Sequence, residues 1–436
     1  MLDPLILHQK KLNHDMLLRN AIFIIFLGTA LLNLRTPDRD YFLAHAPYIM
    51  FLLQVGLPFL ILPYMKLNIH KTYNVIKIIM IVLFLLMLYS FLSSLWSEFP
   101  ELVLKRTLII YLPLFLIGFL TWCDPEPLLT YVKVARGIVF FVITLSVIGI
   151  LLYFFGSLNS QVQSFYIGPI TIAQRVYGDT PILRISSLLG NPNTLAMWLL
   201  LSLPLTLYLI HIRKIGRFLG EAGFFIQFLA LLLTFSRTGI GATLIALISY
   251  YLLAPNIARK LKRIFLVALI TIVVFCSIFI LGVVQFDTKR FSFDLNDRDK
   301  AWSLIIHEFW ENPLFGTGFG VSNEVILNPS GINVSSPHNA YLHTLVEIGL
   351  LGYCLFFLIW FIPLVYYISK FRHVGDKEKR YTLDVCASLL IAFCVHQFFE
   401  SHILRYSFHN LYWYYLIFLL VHPSLYETTN RHIATR

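Results

Sequence analysis

Apolar runs of roughly 17–25 residues, the length that crosses a hydrocarbon core, recur along almost the whole chain, and polar positions fall in short breaks between them. The runs lie near residues 18–34, 46–64, 75–96, 107–123, 138–155, 193–211, 219–236, 238–254, 264–284, 339–368, 382–400 and 407–424. This pattern predicts an all-α fold, a polytopic membrane helix bundle of about 12 transmembrane helices. The division at 236–238 rests on a single Ser-Arg-Thr turn. One longer polar stretch interrupts the pattern, so three blocks are expected: 1–283 with nine helices, an extracytoplasmic region over 284–338, and 339–436 with the last three. Within the middle block, NDRDKAWSLIIHEFWENPLFGTGFG (296–320) sets Trp302, Ile305, Ile306 and Phe309 at helical spacing. Asn296 or Asp297 serves as cap and Asn312-Pro313 as stop, which predicts an amphipathic helix on the membrane surface. The glycines of GTGFG have no strand before them and no βαβ unit after, so a nucleotide site is rejected there.

Composition sharpens the class. The chain is 58% hydrophobic and 13% charged, a balance suited to a lipid surround. Its five cysteines, Cys123, Cys276, Cys354, Cys386 and Cys394, lie in or at the end of apolar runs without metal-ligand spacing, and read as packing residues. The polar start MLDPLILHQKKLNHDMLLRN has no small-residue cleavage site after it and reads as a cytoplasmic leader to a retained helix. With both termini inside, 22 of the 34 Lys and Arg residues fall on inner segments and 12 on outer ones, which fits the positive-inside rule. That bias accounts for much of the net charge of +11 without nucleic-acid binding.

Cations on the depleted side are the informative ones. Arg35, Arg39, Lys105, Arg106, Arg175, Arg184, Arg237, Lys289, Arg290, Arg298, Lys300 and Arg405 are the outer set. Arg184 precedes a Gly-Asn-Pro-Asn turn in LRISSLLGNPNTLAMWL, and Arg237 interrupts apolar sequence in LLLTFSRTGIGATL. Each reads either as a snorkelling interfacial arginine or as a planar bidentate donor for phosphate. Pro337, His338 and Asn339 then open the apolar run SSPHNAYLHTLVEIGLLGYCLFFLIWF, where Pro337 suits the start of a helix. His338 reads as an interfacial packing residue or a general base, and Asn339 as a cap or a polar ligand. Asn339, His343 and Glu347 share one helical face, which must look into the protein, with Glu347 as a buried partner of His343. His396, Gln397 and Glu400 default to helix-to-helix bonding.

The segments LGNPNTLA, TFSRTGIGA, NDRDKAWSLIIHEFWENPLFGTGFG and PHNAYLHTLVEIGLLG, in this order between membrane helices, resemble the O-antigen ligase/polymerase family of bacterial integral-membrane glycosyltransferases. Where many relatives show Ser-Gly-Arg before the amphipathic helix, this chain has Asn296-Asp297-Arg298. The resemblance implies transfer of a glycan from a polyprenyl (undecaprenyl) diphosphate carrier to an acceptor hydroxyl, at the outer face of the bacterial inner (cytoplasmic) membrane, in lipopolysaccharide or other cell-envelope polysaccharide synthesis. The acceptor is lipid A core for a ligase and a lipid-linked repeat for a polymerase. It further implies Arg184, Arg237 and Arg298 as diphosphate-binding residues, His338 as the catalytic base, and Asn339, His343 and Glu347 as supporting residues. The donor is already activated, so inverting chemistry without metal or other cofactor is expected. The competing class is a lipid-linked oligosaccharide flippase, which would show repeated halves and a midplane site; no repeat is evident.

On a cysteine-free background, an impermeant thiol reagent added from outside should label a cysteine placed at Asn333 and spare one placed at Gly375. Labelling of the second position would overturn the predicted orientation.

Overall fold

Helix-forming runs and N-terminal prolines lay down most of the architecture. The computed structural model describes residues 4–34, 47–64, 74–159, 162–167, 170–175, 184–253, 298–331 and 337–427. In chain order these hold α1 (Pro4–Leu32), α2 (Pro47–Ile61), α3 (Asn74–Leu92), α4 (Pro100–Cys123) and α5 (Pro127–Phe155). After them come α6 (Pro192–His211), α7 (Arg217–Leu233), α8 (Arg237–Leu253) and α9 (Arg298–Glu311). The last three are α10 (Ala340–Lys370), α11 (Lys377–His396) and α12 (Phe408–Leu420). Helices α4, α5 and α6 each carry proline at the first helical position, where the missing N–H costs no hydrogen bond and φ is already helical.

Among the described residues six helices, α1, α3, α4, α5, α6 and α10, are long and apolar enough to cross a membrane, and α2 and α8 are shorter apolar helices. The fold is an all-α membrane bundle. About 12 spans are not reached by this measure, for reasons visible in the helices. The run at 264–284 lies outside the described residues. Helix α11 opens on Lys377, Glu378, Lys379 and Arg380 and buries Asp384, and α12 has only 13 residues. The 236–238 turn does separate two helices, α7 and α8.

Helix α12 lies at the centre. Every residue from Phe408 to Leu420 is buried, the signature of a helix enclosed on all sides. Trp198 of α6 stacks on Phe408 at 4.2 Å, and Phe393 of α11 stacks on Trp413 at 4.0 Å. Such offset aromatic pairs add about 0.5–1.5 kcal/mol each beyond their burial.

One element lies outside the expected pattern. A small antiparallel sheet, β1 (Ser157–Asn159), β2 (Val162–Ile167) and β3 (Ile170–Arg175), comes after α5, so the 156–191 segment is a second sizeable excursion from the helices. Val162 faces Arg175 and Ile167 faces Ile170 in its register. The sheet braces the turn at Ser187. Gln174 Nε2 donates to Gln163 Oε1 (2.9 Å), and Gln174 Oε1 accepts from the Ser187 amide (3.0 Å).

Helix α10 is also broken where a straight span was expected. Gly349 sits at φ 60°, ψ −173°, which divides α10 into a first part ending at residue 348 and a longer part after it. The reason is the glycine loop 316–320. Leu350 N–H donates to Pro313 O (2.9 Å), Thr317 N–H to Val346 O (2.9 Å) and Gly318 N–H to Glu347 O (3.0 Å). A Cβ on Gly349 would lie 2.3 Å from Leu314 O, and one on Gly316, itself at φ 72°, 2.6 Å from the Glu347 backbone. These glycines serve close backbone approach rather than phosphate binding. Helix α9 ends at Glu311, before Asn312-Pro313 as expected, and packs Ala301 and Ile305 onto Val346 of α10. Its proposed cap, Asn296 or Asp297, lies outside the described residues.

Basic side chains and loop backbones from several inner segments gather at one end of the bundle. Arg136 donates to Lys214 O, Lys214 Nζ lies 3.5 Å from Glu378, and Lys379 Nζ donates to Ser424 O (2.6 Å). The outer cations Arg106, Arg184 and Arg405 are held in separate contacts with segments assigned to the other end, Arg106 through a bidentate pair to Glu324 at 2.9 and 2.8 Å.

Candidate active site

Three helices begin side by side at that second end, each with a polar cap. Asn191 Oδ1 accepts from Asn193 N–H (2.8 Å) before α6, Ser236 Oγ accepts from Gly239 N–H (3.3 Å) before α8, and Asn339 Oδ1 accepts from the Tyr341 and Leu342 amides (3.1 Å each) before α10. Helix N-termini carry partial positive charge, so their convergence favours an anion. Asn339 thus takes the cap role of the two read from sequence.

Arg184 is fixed by its neighbours. The Ile185 amide donates to Leu233 O (3.0 Å), Arg184 Nε donates to Thr234 O (2.8 Å) and Arg184 Nη2 to Asn193 Oδ1 (3.0 Å). This lays Arg184 against the turn that leads into Arg237. Arg237 is exposed at the first position of α8, and among the described residues it makes no hydrogen bond or ion pair. The two cations differ accordingly: Arg184 is built into the wall and Arg237 is exposed. Arg298 is the first residue of α9.

His338 is reached from Arg184 through two side chains. Asn193 Nδ2 donates to Glu400 Oε1 (3.3 Å), and His338 Nδ1 lies 3.1 Å from Glu400 Oε2. Glu400 is 8% exposed and His338 29%, so the carboxylate is enclosed while the imidazole faces the open side. Burial works to raise the Glu400 carboxyl. The hydrogen bond from His338 and the charges of His402, His338 and His396 outweigh it and hold it down at about 2. An ionised Glu400 assigns the imidazole proton to Nδ1 and leaves Nε2 as the proton acceptor. Burial lowers the neighbouring His402.

The loop that carries Glu400 is itself pinned. Its backbone oxygens at Gln397 and Glu400 accept from the Ala340 amide (2.9 and 3.1 Å), and Gln397 Oε1 accepts from the His402 and Ile403 amides (2.8 and 3.2 Å). From the other side, Trp302 Nε1 of α9 donates to Pro337 O (2.7 Å). Held between them, His338 adopts φ 51°; Ser187, Phe235 and Leu404, also in segments of this end, adopt 50°, 49° and 51°. Positive φ in non-glycine residues costs about 1–3 kcal/mol each and persists where surrounding contacts impose it, often at functional sites.

His343 and Glu347 form a separate, deeper cluster. Glu347 Oε1 lies 3.1 Å from His343 Nε2, accepts from Ser322 Oγ (2.8 Å), and is 3.2 Å from Arg405 Nη2, which also sits 2.7 Å from His343 Nδ1. The cluster ties α10 to the 322 turn and the 405 loop, a supporting arrangement. From sequence, Glu400 carries only a helix-to-helix bonding role, Arg405 is named without a role, and Asn193 is not named. Glu400 at the end of an apolar run was the only signal, and Arg405 was one outer cation among twelve. Among the described residues no three His, Cys, Asp or Glu side chains stand close enough to share a metal ion.

Residues 222–357 match the O-antigen ligase family. The match supports the resemblance to the O-antigen ligase/polymerase family over this part of the chain. The match takes in Arg237, Arg298, His338, Asn339, His343 and Glu347, whereas Arg184, Asn193, Glu400 and Arg405 lie outside it. No curated protein matches the chain. The family indicates an O-antigen ligase-like, glycosyl-transferring membrane enzyme that uses lipid-linked glycans.

A carboxyl group held down in the folded protein stabilises it fully above the ordinary 4.5 and loses that contribution as pH falls toward about 2. The difference in melting temperature between wild type and Glu400→Gln in detergent should therefore shrink as pH is lowered from about 5 to about 3. A difference independent of pH would mean that Glu400 is not held as a carboxylate.

Proposed function

We propose that this protein transfers a glycan from a polyprenyl diphosphate carrier to an acceptor hydroxyl at the outer face of the inner membrane. The single observation that carries the reading is the hydrogen-bonded line from Arg184 through Asn193 and Glu400 to His338, which joins a phosphate-type cation to a base-type imidazole.

The chemistry rests on those contacts. The acceptor oxygen attacks C1 of the donor sugar from the face opposite the diphosphate, forming the new C1–O bond as the old one breaks, so the anomeric centre inverts. The hydroxyl proton passes to His338 Nε2, while Glu400 keeps Nδ1–H oriented and offsets the charge of the imidazolium. Negative charge grows on the departing lipid diphosphate. Arg237, exposed and uncommitted among the described residues, meets it with a bidentate fork, Arg184 adds fixed charge beside it, and the three helix N-termini add partial charge in a low-dielectric setting. Arg298, opening α9, is assigned to the same carrier from the membrane-surface side. No metal ion enters this sequence of steps. Either lipid A core or a lipid-linked repeat meets the demand for an acceptor hydroxyl.

In proteoliposomes with lipid-linked glycan, His338→Ala should lower transfer about 10²–10⁴-fold, the share of a positioned base, with donor binding retained. Arg237→Ala should cost roughly 3–4 kcal/mol of transition-state stabilisation, by analogy with loss of one oxyanion donor, and Arg237→Lys should recover little because a point charge lacks the fork. Near-normal turnover in folded His338→Ala, or loss of donor binding with it, would overturn the base assignment. Supplying lipid-linked repeats alone and then with core lipid separates the two acceptors: elongated carrier-bound glycan in the first reaction marks a polymerase. Donor movement across the bilayer without transfer would mark a flippase.

A further inference from the structure

At the opposite end of the bundle, α1 and α5 enclose an open cavity of about 520 Å³ whose rim is basic and whose floor is aromatic. Lys133, Arg136 and Phe140 lie on one face of α5 at i, i+3 and i+7, and Arg19 and Phe23 lie on the facing side of α1 at i and i+4. Lys214, from the turn after α6, closes the rim. Glycine at 137 lets the floor form, since a Cβ there would lie 2.7 Å from the Phe23 ring.

The four cations are incompletely answered. Arg19 pairs with Glu126, and Lys214 lies 3.5 Å from Glu378. Among the described residues, Lys133 and Arg136 hydrogen-bond only uncharged acceptors, Asn20 Oδ1 and Lys214 O. Arg19 Nε is buried without a hydrogen-bond partner among the described residues. Lys133 Nζ stands 4.8 Å over the Phe23 ring, held above the floor rather than turned away. Beside the cations, Phe140 is 49% exposed, apolar surface of the kind that lipid chains cover.

We propose that this cavity binds one anionic phospholipid of the inner leaflet, its headgroup phosphate held by Lys133, Arg136 and Lys214 and an acyl chain lying along Phe140. A phosphate joined to a chain satisfies the charged rim and the apolar flank together, whereas a free anion satisfies only the rim. The depth agrees: Arg19 lies one turn inside the apolar part of α1, Lys133 and Arg136 lie within the first three turns of α5, and Lys214 comes just after the end of α6, all at one interface. Basic pockets between transmembrane helices on the cytoplasmic side suit anionic headgroups.

The test is native mass spectrometry of the full-length protein titrated with phosphatidylglycerol, phosphatidylcholine or inorganic phosphate. Wild type should retain one phosphatidylglycerol at concentrations where neither other probe is retained, and Lys133→Gln/Arg136→Gln should weaken that binding at least about tenfold. Equal retention of phosphatidylcholine, retention of inorganic phosphate alone, or an unchanged titration in the folded double variant would overturn the proposal. A photoreactive phosphatidylglycerol applied to the wild-type protein gives a second measurement that does not depend on the variant folding. Its label should concentrate in residues 19–23 and 129–140, and labelling spread over the other lipid-facing helices instead would count against the site.

Discussion

A buried carboxylate must be answered on both oxygens, and Glu400 meets that demand with Asn193 on Oε1 and His338 on Oε2. Its own backbone oxygen accepts from the first amide of α10, so the same residue caps the helix that His338 precedes. Three segments remote in sequence are joined at this one residue: the start of α6, the entrance to α10 and the loop after α11. Removing the carboxylate would leave Asn193 without its acceptor and His338 without the partner that sets its tautomer, while the helices could remain packed through α12. The interaction therefore belongs more to the site than to the fold.

A second constraint sets where His338 lies relative to the helices. Because the glycine loop 316–320 packs against the break in α10 at Gly349, the first part of α10 turns away from the long membrane-crossing part and brings His338 under α9. Positive φ at His338, Phe235, Ser187 and Leu404 is the local consequence of forcing three loops against one another. The deeper Arg405–Glu347–His343 cluster carries charge between these loops with every member paired, which is how ionisable groups are tolerated near lipid. Arg237 departs from this economy. Among the described residues it has no partner, and in the proposed reaction its partner is the substrate.

Much of the bundle was legible because long apolar runs and N-terminal prolines act locally. The runs at 75–96 and 193–211 appear as α3 and α6 with little change beyond a turn at either end, while the run at 138–155 is the later part of α5, which begins at Pro127. The features that escaped were set by tertiary context. The 13 residues of α12 are held by aromatic packing on every side rather than by their length, and α11 begins with four charged residues in a row. The sheet is built from strands of three to six residues that pair only with one another among the described residues, too short to stand out between apolar runs of membrane-helix length. Arg184 and His338 stood out because each breaks an otherwise apolar neighbourhood. Asn193 and Glu400 acquire meaning only from a contact across 207 positions, which spacing along the chain cannot reveal.

The decisive measurement is a double-mutant cycle on transfer rate with lipid-linked glycan, using wild type, Glu400→Gln, His338→Ala and the pair. If Glu400 acts by orienting the imidazole of His338, Glu400→Gln lowers the rate of the wild type but lowers that of His338→Ala no further. Losses that multiply in the double variant would contradict it, since Glu400 and His338 would then serve the protein independently.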